Sequence, residues 1–391
     1  MQEIRLLFDG VVDGSPGGNQ LQQALVRAIG RTRPEGARFT ALLRHGRDES
    51  LQQEGVEVVR VAPPAGGWLG RARWYNSLLP SLIQTQQANV IYSLSGILSR
   101  ALVKSCGTIS SVNNMLSFTP RSMQNYKLFS KERLRHFLLH HLHIRSLVLA
   151  DAVLLHSEHA LRLLSQHTEG LSDKTLVVHT GIPSNLNFEA EAPPAHPLEG
   201  EPYLFYLSAI YPYKNHDTLI RAYAHVQQRG GALPKLLIAG FPSDPATVER
   251  IEALIVDLGL GERVRYLGPL PRADIAAWLH HATINVFPSP CETNSVVLAE
   301  ILGCEGVLAC ADTPPMPEIV GDAAALFDPY DVEALSELLA TLSADAGQRA
   351  DLKKRACERK KAFSWDACGE AIWQTADRAA KAYATRAGGT R

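Results

Sequence analysis

Six cysteines in 391 residues, Cys106, Cys291, Cys304, Cys310, Cys357 and Cys368, form no C-x-x-C and no paired Cys/His array. Neither a zinc site nor a disulfide framework is supported, and a reducing compartment is expected. Charge of one sign is also lacking: 39 Lys and Arg face 40 Asp and Glu, for a net charge of -1. That balance argues against a nucleic acid or other polyanion as partner. No run reaches the about 18 uninterrupted apolar residues of a membrane-crossing helix. The segment Met1–Phe8 has no basic region followed by an apolar stretch, so neither a standard export signal nor a membrane span is expected. The fingerprint G-x-G-x-x-G is missing too, the nearest approach being Gly14, Gly17 and Gly18. This disfavours a nicotinamide-dependent oxidoreductase.

What remains is the composition of a globular protein, 46% apolar and 20% charged, in a chain long enough for two domains that each bury a core. Short β-rich runs alternate with helix-period segments: Ile4–Phe8, Phe39–Leu43, Val56–Val61, Val90–Ser93, Thr108–Val112, Ala152–Leu155 and Thr175–Val178 read as strands. A long helix is expected from about Arg121 to Leu149. Pro183–Pro202 has no periodicity and many turn residues. The alternation then restarts with strands at Tyr203–Leu207, Lys235–Ala239, Val264–Leu267, Thr283–Phe287 and Val307–Cys310. The pattern predicts an α/β protein of two Rossmann-like, doubly wound domains with a cleft between them. The expected domains are 1–185, a linker 186–202, a second domain 203–362, and a final helical segment 363–391 packing back on the first.

Within the second half, Glu292 and Glu300 stand in Cys291-Glu-Thr-Asn-Ser-Val-Val-Leu-Ala-Glu300, directly after a strand. Pro288 and Pro290 stop that strand, and Thr293, Asn294 or Ser295 can cap a helix carrying Val296 to Glu300. Alone, such a pair reads as two solvated glutamates on an ordinary helix. A carboxylate on each side of a helix start, however, suits a ligand with sugar hydroxyls at both ends and phosphates between them. Lys214, in Tyr211-Pro-Tyr-Lys-Asn-His216 after strand Tyr203–Leu207, can aim its ammonium at a diphosphate. Gly17 and Gly18 fall between the first strand and first helix, where glycine allows close approach to a phosphate or sugar.

Taken in order, these segments resemble the family 4 retaining glycosyltransferases of the GT-B fold. The resemblance covers nearly the whole chain and is strongest from Tyr203 to Pro329. It rests on Tyr-Pro-Tyr-Lys-Asn-His, Lys235-Leu-Leu-Ile-Ala-Gly240, Val264-Arg-Tyr-Leu-Gly268, Phe287-Pro-Ser-Pro-Cys-Glu-Thr-Asn294, Leu298-Ala-Glu-Ile-Leu-Gly-Cys304 and Pro317-Glu-Ile-Val-Gly-Asp322. It implies transfer of a sugar from a nucleotide-diphosphate donor to a hydroxyl of a glycan or lipid-linked acceptor. The setting implied is bacterial cell-surface polysaccharide synthesis, in the cytoplasm or on the inner membrane face, with no metal or other cofactor. By the same resemblance Glu300 holds the donor ribose, Glu292 faces the donor sugar and Lys214 neutralises the diphosphate. The amides of Thr293, Asn294, Ser295 and Val296 bind sugar hydroxyls or phosphate. Tyr266 and Leu267 contact the base, and Gly17 and Gly18 cover the diphosphate.

Two positions depart from the family pattern. Ala209 replaces an arginine five residues before the lysine, and Asn113 or Asn114 replaces an acceptor-side histidine. An amide positions a hydroxyl but is no general base at neutral pH. These losses leave a second reading open, a catalytically idle nucleotide-sugar- or glycan-binding subunit of a synthase. Residues 121–145 carry Arg121, Lys127, Lys131, Arg133, Arg135, Arg145 and four histidines among Leu128, Phe129, Leu134, Phe137 and Leu138. The segment fits contact with an anionic membrane or a solvated helix face equally.

Overall fold

The computed structural model describes residues 3–11, 16–45, 56–183, 186 and 194–388. It holds two fully parallel sheets. The first contains β1 (Arg5–Asp9), β2 (Arg38–Arg44), β3 (Glu57–Val61), β4 (Val90–Ser93), β5 (Gly107–Ser110), β6 (Ala152–Leu155) and β7 (Thr175–Val177), in the spatial order β3-β2-β1-β4-β5-β6-β7. The second contains β8 (Tyr203–Leu207), β9 (Lys235–Ala239), β10 (Val264–Tyr266), β11 (Ile284–Phe287), β12 (Leu308–Ala311) and β13 (Ala325–Phe327), in the order β10-β9-β8-β11-β12-β13. Near-continuous apolar strands such as Tyr-Leu-Phe-Tyr-Leu and Ile-Asn-Val-Phe are what a parallel sheet covered on both faces requires. The doubly wound architecture expected from the alternation is therefore the one observed.

In each sheet the chain first winds one way and then returns to the other side of its starting strand. The order reverses between β1 and β4 in one sheet and between β8 and β11 in the other. At such a point the two loops leaving the carboxyl ends of the adjacent strands diverge and leave a crevice.

Contacts divide the chain into one unit of 1–118, 134–181 and 364–391, and a second of 119–133 and 182–363. The final helix, Trp365–Gly388, lies on the first unit. Its Trp373 is buried, with the indole nitrogen donating to Ile29 O at 3.0 Å. Gly369 is required there, because a Cβ would come within 2.6 Å of Ala28 O on helix Pro16–Arg31.

Three sequence expectations are corrected. The single helix over Arg121–Leu149 is two, Pro120–Met123 and Lys131–Leu149. The break follows from local bonding: Asn125 Nδ2 donates to Ser122 O, and Ser130 Oγ accepts from Arg133 N, a cap that starts the next helix. Residues 119–133 consequently group with the second unit instead of the first domain. Gly17 and Gly18 do not precede the first helix but fall in its first turn, since Pro16 opens it. Gly14 lies outside the described residues.

Candidate functional site

β8 and β11, the pair at the second reversal, lead into the two loops that the sequence singles out. After β8 the chain passes Ala209 and makes a short turn at Pro212–Lys214. Helix His216–Gln228 follows. After β11 it passes Ser289 and Cys291, both buried, and Ser295 opens helix Val296–Gly303 by accepting from Leu298 N at 3.4 Å. Of the three residues offered as the cap, Ser295 serves. The amides of Val296 and Val297 precede the first acceptor within that helix. Thr293 and Ser295 are buried and Asn294 half-buried.

The structure brings Lys214 and Glu292 together, 78 residues apart in sequence: Lys214 Nζ donates to Glu292 Oε1 with both side chains only 12–13% exposed. Burial alone would push the ammonium down, but Glu292, followed by Tyr206, lifts Lys214 above its ordinary value. The cation is therefore permanent at neutral pH. Tyr206 OH donates to Lys214 O at 2.7 Å, and Asn215 Nδ2 donates to Pro329 O in the loop after β13 at 2.5 Å. These bonds hold the lysine turn from both sides. Asn215 takes a left-handed backbone, φ 59°, which asparagine tolerates better than most residues. Next to it His216 is buried against the Tyr206 ring, with neither ring nitrogen bonded. Burial, with Lys214 and Arg250 adding to it, lowers its pKa to about 3, so the ring is neutral.

Glu300 lies in a stretch of its helix, Leu298 to Gly303, that is buried on every side, and is 2% exposed. Burial pushes its carboxyl above the usual range; Arg272 opposes this through an ion pair of 2.6 Å to Oε1. Tyr266 is half-buried, its hydroxyl donating to Gly240 O at 2.8 Å, while Leu267 N donates to Ile238 O at 2.8 Å. The Tyr266–Leu267 turn is thus pinned to the strand beside it. Asn113 and Asn114 stand in the first unit, after β5. Asn113 donates to Leu94 O and accepts from Ser111 Oγ, and Asn114 accepts from Leu116 N to cap the turn Met115–Phe118. Gly17 and Gly18 belong to the first unit as well.

Sequence reasoning missed two features. One is Arg272, whose only advertisement is its place in the loop after the Tyr266 turn. The other is the strap of residues 119–133 in the second unit. Arg121 stacks on Tyr330, its guanidinium carbon 3.4 Å from the ring centroid. Thr119 and Ser122 lie by the Cys291 thiol, and Tyr126 is influenced by Tyr211, Asp244 and Cys291. The strap thereby reaches the loops after β8, β9, β11 and β13. Tyr211 and Tyr213 stack at 5.7 Å beside Lys214, whose ammonium is 5.2 Å from the Tyr213 ring centroid. No group of three or more His, Cys, Asp or Glu side chains able to hold a metal occurs among the described residues.

Residues 188–359 match the family model of glycosyl transferases group 1. The chain is 28% identical over 172 residues to O-antigen chain mannosyltransferase B of Escherichia coli, a stretch covering 44% of each protein. It thus spans less than half the length of that curated relative. Among solved structures it resembles Anabaena HepE in complex with UDP and glucose, at 20% identity and TM-score 0.69, over 96% of this chain and 99% of that one. It also resembles a sucrose-phosphate synthase from Thermosynechococcus elongatus, at 18% identity and TM-score 0.75, over 95% and 98%. Together with the two doubly wound sheets, these likenesses identify the fold as GT-B.

Proposed function

We propose that the chain is a retaining hexosyltransferase that moves a sugar from a nucleotide-diphosphate donor to a hydroxyl of a glycan or lipid-linked acceptor, in bacterial cell-surface polysaccharide synthesis. The observation that carries this reading is the buried Lys214–Glu292 pair at the strand-order reversal between β8 and β11, with the Val296 helix start beside it. The match to glycosyl transferases group 1 over the same half, and an O-antigen mannosyltransferase among the relatives, support it.

In this reading the anomeric carbon of the donor loses its bond to the β-phosphate oxygen. It gains one to the acceptor oxygen on the same face, and the acceptor proton passes to the departing diphosphate. Lys214 stabilises the negative charge that develops on that diphosphate. Glu292 aligns the ammonium and faces the donor sugar, and the amides of Thr293 to Val296 bind its hydroxyls or the phosphates. Glu300 accepts from the ribose hydroxyls, and Tyr266 and Leu267 border the base. On the family resemblance alone, Gly17 and Gly18 cover the diphosphate and Asn113 and Asn114 serve the acceptor. No metal is needed.

The acceptor end is read as membrane-borne. Phe129 is 97% exposed, and Leu128, Leu134 and Phe137 are exposed too, among Lys127, Lys131 and Arg135. Such a mixture suits peripheral contact with an anionic bilayer. No helix among the described residues is long and apolar enough to cross a membrane. Co-sedimentation with vesicles containing anionic lipid should be strong for the native chain and weak for Phe129→Glu. Equal sedimentation of both would remove the membrane from the reading.

The direct test is turnover with GDP-, UDP- and dTDP-sugars and a candidate acceptor. Lys214→Ala and Glu292→Gln are expected to lower kcat by about 100-fold or more, in line with the loss of one charge-stabilising contact. Donor binding without hydrolysis or transfer, under every pairing, would favour the idle binding subunit instead.

A further inference from the structure

We propose that Arg272 is a positioning residue for nucleotide binding: its guanidinium keeps the buried Glu300 carboxyl anionic and oriented to accept hydrogen bonds from the ribose hydroxyls of a nucleoside diphosphate. This rests on the ribose role given to Glu300 above.

A carboxylate buried in the protein interior does not stay charged by itself; it takes up a proton unless a cation lies against it. Glu300 is in that position, and the cation is Arg272, brought from the turn Arg272–Asp274 that follows the Tyr266–Leu267 loop. The contact is close, 2.6 Å to Oε1, and because an ionised carboxylate offers about four lone-pair sites, acceptor capacity remains beside it. A ligand hydroxyl would complete the shell of such an acceptor. Arg272 is itself 36% exposed, so its outer edge meets solvent.

The remaining ionisable groups around this helix lie elsewhere. The Cys304 thiol, four residues on, senses Glu300, Arg272, Lys360 and Glu305. Lys360 pairs with Glu305 at 2.8 Å, and His280 bonds to Cys304 O. From the helix Ala346–Arg359, Cys357 also turns to Glu305, and Lys353 senses Glu305 and Arg349. From Met316–Val320, Glu318 offers its carbonyl to Arg359. Arg272 is thus the charge that acts on the Glu300 carboxyl, opposing the upward push of burial. Take it away and the carboxyl holds its proton to higher pH, where a protonated group cannot accept two ribose hydroxyls.

The test is calorimetric titration with GDP, UDP and dTDP of the native chain, Arg272→Met, Arg272→Lys and Glu300→Ala, from about pH 6 to about pH 9. For the nucleotide that the native chain binds, its affinity is expected to vary less with pH than that of Arg272→Met. Arg272→Met is expected to lose about 10- to 100-fold at the acid end, an opposing charge being worth one to three pKa units. It should recover to within a few-fold at the alkaline end, as Glu300 ionises. Arg272→Lys should stay near native throughout. Should Arg272→Met fail to fold, Arg272→Gln, which keeps donors but not charge, carries the same expectation. A loss by the same factor at every pH, or no loss, overturns the role of Arg272. Unchanged affinity in Glu300→Ala overturns the ribose assignment itself, and a native chain that binds none of the three nucleotides overturns the functional reading.

Discussion

Asp9 ends β1 at the reversal point of the first sheet, 1% exposed, accepting from Val11 N at 3.2 Å and from the Trp74 indole at 3.3 Å. Burial raises its pKa to about 6, against the lowering effect of those two bonds. Between about pH 4 and about pH 6 the folded state therefore holds a proton that the unfolded chain has released, and stability falls as pH rises through that window. Asp9→Asn cannot titrate. Relative to native, it should gain up to about 3 kcal/mol across the window, at ~1.4 kcal/mol per pKa unit. Urea unfolding at several pH values reads this directly; parallel curves for the two chains would refute it. Lys214 and Glu292 make a second case. Removing either leaves its partner's charge nearly buried, at a cost of about 3–5 kcal/mol, and Lys214→Met with Glu292→Gln should restore most of that. If the double variant is less stable than both singles, the pair is not what holds those loops. The positions of these two residues and of Glu300 in the fold could be read from the sequence, because each lies in the loop or helix that directly follows a clear strand. Arg272 was not. Its ion pair spans 28 residues with no motif at its own end, and a lone arginine in a loop announces nothing about what it neutralises.

Among the elements, strands were the easiest to read, since buried parallel strands are short apolar runs. The exception is β13, three residues long and not among the strands expected from the sequence. The stretch 119–133 was the hardest. Its composition continues that of the following helix, and only the side-chain bonds of Asn125 and Ser130 break the period. That strap is held partly by Arg121 on Tyr330, a contact worth about 0.5–2 kcal/mol. A double-mutant cycle with Arg121→Ala and Tyr330→Leu should return a coupling in that range; zero coupling would mean the stacking is incidental. The final helix was expected on the first domain from its position beyond the last strand. Its close seat could not be foreseen, since it depends on Gly369 facing the Ala28 carbonyl. Gly369→Val should loosen that helix, and Trp373→Ala should cost about 3–5 kcal/mol. Both would show as faster proteolysis near residue 364. Unchanged proteolysis would deny the helix its structural role.

For the molecule as a whole, the doubly wound plan followed from alternation, and the reversal between β8 and β11 explains why Lys214 and Glu292 converge from distant parts of the second half. Loops after neighbouring strands meet only at the carboxyl edge, and only there does the strand order leave room between them. Sugar, base and acceptor were not legible, because no residue spacing encodes the side-chain shapes that would select them. The most direct measurement is a thermal-melting titration of the native chain and Glu300→Ala with GDP-, UDP- and dTDP-sugars. At a ligand concentration 100-fold above Kd, binding to the folded state adds about 2.7 kcal/mol. One donor class is expected to raise the melting temperature of the native chain and leave that of Glu300→Ala unmoved. A native chain indifferent to all three, or a variant that responds as strongly as the native chain, would contradict a nucleotide-sugar site at the carboxyl edge of the second sheet.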